Sequence, residues 1–121
     1  KNYEISTAVI KPYNSINFKG KIYMLIDKAV YSSSDGFASF AKASKFATLI
    51  GERTGGDGIG PDPIIFSLPN SGAIVRYSSL LCLNPDYTIN EEVQTAPDIE
   101  VNPAVGNSYK EDLCIQAAIK D

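Results

Sequence analysis

An α/β fold is predicted by three features of the chain. A short apolar run at 22–26 leads into a segment of helical period at 34–45 and then a second apolar run at 46–50. Two further β-rich runs flank the turn Pro69-Asn70-Ser71-Gly72. An amphipathic segment follows near the C-terminal end. A strand, a helix and a strand in succession form a unit with parallel strands and a right-handed crossover.

The elements follow in order. At 1–12, Tyr3, Ile5, Thr7 and Val9 alternate with more polar neighbours, which predicts a half-buried strand. Residues 14–20 are a polar connection. The run at 22–26 is continuously apolar and reads as a strand buried on both faces. In the helix at 34–45, Phe37, Phe40, Ala41 and Ser44 share one face, with Ser39, Lys42 and Lys45 on the wetter side. The run at 46–50 is the next strand. Five glycines and two prolines make 51–63 a loop. Runs 64–68 and 73–83 form a hairpin, 84–96 is a polar loop, and 98–101 is a short strand. Ser108-Tyr109-Lys110-Glu111 has the pattern of a capping box ahead of a final helix, in which Leu113, Ala117 and Ile119 or Lys120 fall at helical spacing.

Composition narrows the function. The 121 residues fit one domain or part of one. A net charge of −3 without a basic run argues against nucleic-acid binding. No apolar stretch reaches membrane-spanning length. No secretory leader opens the chain, and Lys1, with no initiator methionine before it, reads as a cut end. Histidine is absent. Any imidazole base must therefore come from other polypeptide; otherwise the base is another residue type, or there is no catalysis. Cys82 and Cys114 sit in apolar surroundings and read as buried thiols, with a disulfide left open. Two cysteines without histidine make a poor zinc site. The glycine-rich loop lacks the G-K-[ST] ending of a phosphate loop and the dinucleotide fingerprint. It reads equally as a plain connection or as a mobile segment beside a cleft.

The stretch from Lys21 to Phe37 carries the chemistry. An apolar strand passes through Ser32, Ser33 and Ser34 into a helix. Helix capping is the simpler local account of three serines there. The alternative is a nucleophile elbow that presents Ser32, with the N–H groups and dipole of the helix N-terminus facing a developing oxyanion.

Three segments, taken together and in order, resemble the C-terminal-processing (tail-specific) serine peptidases and the related tricorn core. They are L-I-D-K-A-V-Y-S-S-S-D at 25–35, L-I-G-E-R-T-G-G-D-G at 49–58 and A-P-D-I-E-V at 96–101. The resemblance places the nucleophile on Ser32, because Asp35 aligns with the family's acidic residue three positions later; Ser33 and Ser34 are the alternatives. It makes the Ser33 backbone N–H an oxyanion donor. The branch with a Ser–Lys dyad has its lysine where this chain has Asp57, 25 residues after Ser32 (57 − 32). Lys42 and Lys45 are expected to be solvated surface charges, so that dyad is not expected. The tricorn-like branch uses a histidine and a second oxyanion donor, both upstream, and a glutamate that maps to Glu91, with Glu92 the rival register and a plain surface carboxylate the other reading of each.

The resemblance implies a crotonase-like, Clp-protease-like spiral fold, a mixed β-sheet with packed helices, of which this chain is the C-terminal portion. It implies no metal and no organic cofactor. The implied partners are a protein or peptide substrate and the remainder of the catalytic domain, in an extracytoplasmic or cell-envelope setting, with oligomerisation open. The competing functions are a non-catalytic module for apolar ligands or peptides on the same fold and an enzyme acting on coenzyme A thioesters.

Overall fold

Two four-residue apolar strands pair in parallel, and the rest of the chain is arranged around them. The computed structural model describes residues 5, 9–11, 13, 14, 16, 18–57, 60–102 and 108–121. Its elements are β1 (Tyr23–Ile26), α1 (Ser33–Ser44), β2 (Thr48–Gly51), β3 (Ile64–Ser67), β4 (Ile74–Tyr77), α2 (Asn90–Val93), β5 (Ile99–Glu100) and α3 (Leu113–Lys120). One sheet has the order β1-β2-β5 with all pairs parallel, and β3 and β4 form a separate antiparallel pair. The α/β class is therefore present, with both kinds of pairing.

The β1–β2 register sets Met24 beside Leu49, Leu25 beside Ile50 and Ile26 beside Gly51. Only glycine fits the last position. Its φ is 132°, and a Cβ there would run into the Ile26 carbonyl. Side chains alternate across a strand, so Leu49 and Ile50 face opposite sides. Leu49 packs with Ile26, Ala38, Ala41 and Ala47 under α1. Ile50 is equally buried, and α3, which brings in buried Cys114, contacts both β1 and β2. Burying each of these two side chains stabilises the fold by about 1.5–3 kcal/mol. β1 is not buried on both faces as the sequence predicts. It lies at the edge of its sheet, and Leu25 remains 41% exposed.

α1 starts and ends one residue earlier than expected, at Ser33 and Ser44, and Lys45 in the left-handed conformation stops it. Its inner face also differs. Asp35, Ala38 and Ala41 are buried, whereas Phe37 and Phe40 lie half-exposed and cluster with Phe46 at centroid separations of 6.1–6.2 Å. Small residues win the inner face because they let the helix approach the sheet closely. Lys42 is half-exposed and paired rather than free in solvent. It donates to Asp98 at 2.8 Å and to the Pro97 carbonyl at 3.4 Å.

Further along the chain the differences are local. The strand expected at 1–12 lies mostly outside the described residues, and Ile5, Val9 and Ile10 are exposed and belong to no strand. The hairpin forms, with a second strand shorter than expected. The polar loop at 84–96 contains α2, a single turn that no periodic pattern announces. The short strand narrows to β5. The capping box is not formed. Ser108 instead accepts from the Glu111 N–H across a turn, and α3 is capped by Asp112, whose carboxylate accepts from Cys114 and Ile115 N–H at 2.8 and 3.2 Å. Both cysteines are free thiols. Among the described residues no helix is long and apolar enough to cross a membrane.

Two outcomes follow for stability. Asp112→Ala should lose about 1 kcal/mol in urea unfolding, while Ser108→Ala should stay within about 0.5 kcal/mol of the parent. Asp98 gives a pH dependence. Partial burial raises its pKa, but hydrogen bonds from Lys42 and the Leu49 N–H, with the Lys42 charge, outweigh this and leave it below the usual carboxylate value. A group depressed on folding contributes stability above its unfolded value, near pH 4, and loses it as pH falls through the folded value. Asp98→Asn should therefore flatten the acid limb of the urea midpoint between about pH 5 and 2; a limb as steep as that of the parent would show that the contact contributes nothing.

Candidate active site

The chain between β1 and α1 is built by backbone bonds rather than by a direct corner. The sequence suggests a strand turning straight into a helix, but residues 27–32 intervene. The Asp27 carboxylate accepts from Ala29 N–H at 2.8 Å, which starts a turn, and the Asp27 carbonyl accepts from Val30 N–H at 3.0 Å. The chain then runs beside the loop that follows β2. Gly55 N–H donates to the Val30 carbonyl at 2.7 Å, Tyr31 bridges Gly56 in parallel, and Ser32 N–H donates to the Gly56 carbonyl at 3.1 Å.

Ser32 is the residue before the first turn of α1, and it is exposed. Its backbone has φ 55° and ψ −137°, a region that costs an L-residue about 1–3 kcal/mol. Its carbonyl accepts the first helical bond, from Gly36 at 3.0 Å, but its hydroxyl caps no N–H. An ordinary N-cap serine uses its hydroxyl for the cap. Here the side chain is left to face solvent and the strain is held from both sides by backbone bonds. Ser33 follows as the first helical residue, where a backbone N–H has no partner within the helix. Ser32 and Ser33 both line a cavity of about 270 Å³; Ser34 does not, and lies instead on a neighbouring groove with Phe37 and Val30.

The other walls of that cavity include Asp57, Asp62, Arg76, Tyr77 and Ser78. Asp57 thus shares a cavity with Ser32. The remaining four were not legible, since nothing local to 62 or 76–78 announces that the hairpin folds against the serines. Among the described residues no lysine lines the cavity. The cation on its described wall is the Arg76 guanidinium.

Glu91 and Glu92 are both exposed on α2. α2 packs on buried Gly56: a Cβ built there would lie 3.4 Å from Gln94 Cγ and 3.5 Å from Glu91 Cα. The Gly56 carbonyl receives the Ser32 N–H, so α2 and the Ser32 corner share one piece of backbone, although Glu91 itself is not on the cavity wall. Asp35 is fully buried one turn into α1, and neither carboxylate oxygen has a hydrogen-bond partner among the described residues. Cys114 is no rival nucleophile. Burial first, then the charges of Asp112, Asp27 and Glu52, pushes its thiol pKa up. No metal-binding group of His, Cys, Asp and Glu occurs among the described residues.

Comparison with known proteins gives a coherent result. The model of peptidase family S41 matches residues 1–101. A solved structure titled "putative peptidase from Parabacteroides merdae ATCC 43184" is 29% identical, with a TM-score of 0.68 over 83% of this chain and 31% of its own. Mature CPAF, solved with lactacystin, is 26% identical with a TM-score of 0.59 over 66% of this chain and 15% of its own. The photosystem II D1 C-terminal processing protease is 24% identical with a TM-score of 0.57 over 78% and 24%, a likeness of fold. The chain thus spans less than a third of each of these solved chains. No curated protein matches it.

Proposed function

The chain belongs to peptidase family S41, and from that premise we propose that it is the C-terminal part of a serine peptidase catalytic domain with Ser32 as nucleophile. One observation carries this reading. Ser32 combines a strained backbone, an exposed hydroxyl not used as a cap, and a place on a polar cavity at a helix N-terminus. The spiral, crotonase-like arrangement of the whole domain is part of the same proposal.

The chemistry runs as follows. The Ser32 Oγ attacks the carbonyl carbon of a peptide bond and gives its proton to a base. The carbonyl oxygen takes up the negative charge, facing the Ser33 N–H and the positive end of α1. Collapse expels the amine, which leaves with a proton from the base, and water then hydrolyses the acyl-enzyme. The base is a histidine on another segment of the polypeptide, since this chain has none and Asp57 replaces the lysine of the dyad. Glu91 orients that histidine. Its register is favoured over Glu92 because the Glu91 backbone packs against Gly56 beside Ser32.

The segment supplying the base is also the proposed partner for surfaces left open here. Leu25 on edge strand β1, the cluster of Phe37, Phe40 and Phe46, and both strands of the hairpin all present apolar side chains to solvent. The substrate is a protein or peptide with an extended scissile segment. A carrier of apolar ligands is disfavoured by a cavity lined with two carboxylates and a guanidinium.

The test is hydrolysis of an unstructured peptide by the full-length polypeptide. Ser32→Ala should lower kcat about a thousandfold or more and abolish covalent labelling by a fluorophosphonate. Glu91→Gln should lower kcat by about 10²–10⁴ through loss of histidine orientation, and Glu92→Gln should change it less than about twofold. Hydrolysis by Ser32→Ala equal to that of the parent would exclude Ser32.

A further inference from the structure

We propose that Thr54 is a positioning residue for the Ser32 centre, holding α2 and its Glu91 in place from the loop after β2; this rests on the roles given to Ser32 and Glu91 above. Residues 53–55 and 93–95 are joined by four hydrogen bonds. The Thr54 N–H donates to the Thr95 carbonyl at 3.0 Å, and the Thr54 hydroxyl oxygen accepts from the Thr95 N–H at 2.8 Å. On either side, the Arg53 guanidinium donates to the Val93 carbonyl at 2.6 Å and the Gln94 amide to the Gly55 carbonyl at 3.5 Å. The central pair is desolvated, since Thr54 is 1% and Thr95 4% exposed. The side-chain bond within it is therefore the one whose loss leaves a buried N–H without that acceptor.

The placement of this clasp gives it a role beyond cohesion. Two residues after Thr54, the Gly56 carbonyl takes the Ser32 N–H. Two residues before Thr95 lies the end of α2, the turn that carries Glu91. α2 is a single turn of four residues, its N-cap Ile89 offers no side-chain bond, and a helix that short does not hold itself. Its exit at Gln94 has φ 56° and ψ −176°, a strained geometry for a residue with a side chain. Clasp bonds on both neighbours of Gln94 hold that strain. The distance between the serine corner and the carboxylate-bearing turn is therefore set by Gly56, which has no side chain to push them apart, and by Thr54, which keeps them from drifting.

The experiment uses the full-length polypeptide and reads kcat, KM, the rate of fluorophosphonate labelling and the urea midpoint. Thr54→Val keeps the shape and removes the oxygen. It should lower kcat about ten- to a hundredfold with KM within about twofold, and slow labelling in parallel. Thr54→Ser restores the acceptor and should recover most of both rates; a folded Thr54→Val with parental kcat and labelling overturns the inference. If Thr54→Val does not fold, exposed Arg53→Ala decides: at least about a threefold loss of kcat at an unchanged midpoint supports the clasp, and parental kcat overturns it. Ser32→Ala run alongside separates the two proposals. If it is as active as the parent, the peptidase reading fails and the Thr54 role with it; if it is inactive while Thr54→Val is normal, the Thr54 role fails alone.

Discussion

The hydrogen bond from Ser32 N–H to the Gly56 carbonyl is the interaction on which the site depends. It joins the segment entering α1 to the loop leaving β2, two elements that meet only because β1 and β2 pair in parallel. With the N–H engaged on one side and the carbonyl in the first helical bond on the other, the Ser32 backbone is held in a conformation it would otherwise leave. The same Gly56 backbone seats α2 on its opposite side. Strain, exposure and neighbourhood thus share one origin in the strand pairing.

Electrostatics adds a second layer. Among the described residues, the cavity beside Ser32 is lined by the carboxylates of Asp57 and Asp62 and the guanidinium of Arg76, with neither histidine nor lysine. Two carboxylates on the same cavity as Ser32 oppose a second negative charge there, and Arg76 offsets them in part. The fully buried Asp35 carboxylate, lacking donors among the described residues, is expensive in isolation, and it sits three residues after Ser32 in the first turn of α1.

The sequence was most legible where one local rule governed. The apolar runs, the hairpin turn and the glycine-rich loop were readable because periodicity and turn chemistry act within a few residues. The face of α1 was legible only at Ala41: hydrophobicity ranks phenylalanine above alanine and favours Phe37 and Phe40, whereas close packing on Leu49 selects Ala38 with Ala41, and Asp35 is buried with them. Asp112 took the cap that Ser-x-x-Glu advertised four residues earlier, since a carboxylate is at least as good an N-cap acceptor and lies next to the apolar run. For the site, the serine cluster and the Ser32-to-Asp57 spacing were visible in the chain. Asp62, Arg76, Tyr77 and Ser78 were not, because their approach depends on how a hairpin folds across a loop, which no short-range pattern encodes.

The inner face of α1 also explains why the site lies where it does. Alanines on the inner side of α1 let its axis come close to β1 and β2, with Ala38 and Ala41 fully buried. A helix crossing back over parallel strands begins at their C-terminal ends, so closeness to the sheet becomes closeness of the α1 N-terminus to the loop leaving β2. Open α/β sheets bind ligands at those strand ends because helix N-termini and loops converge there. Here the convergence brings the Ser33 N–H, the Ser32 hydroxyl and the Gly55–Gly56 backbone together. The small-residue face of α1 is therefore part of what sets the place of the Ser32 corner, although neither Ala38 nor Ala41 reaches the cavity.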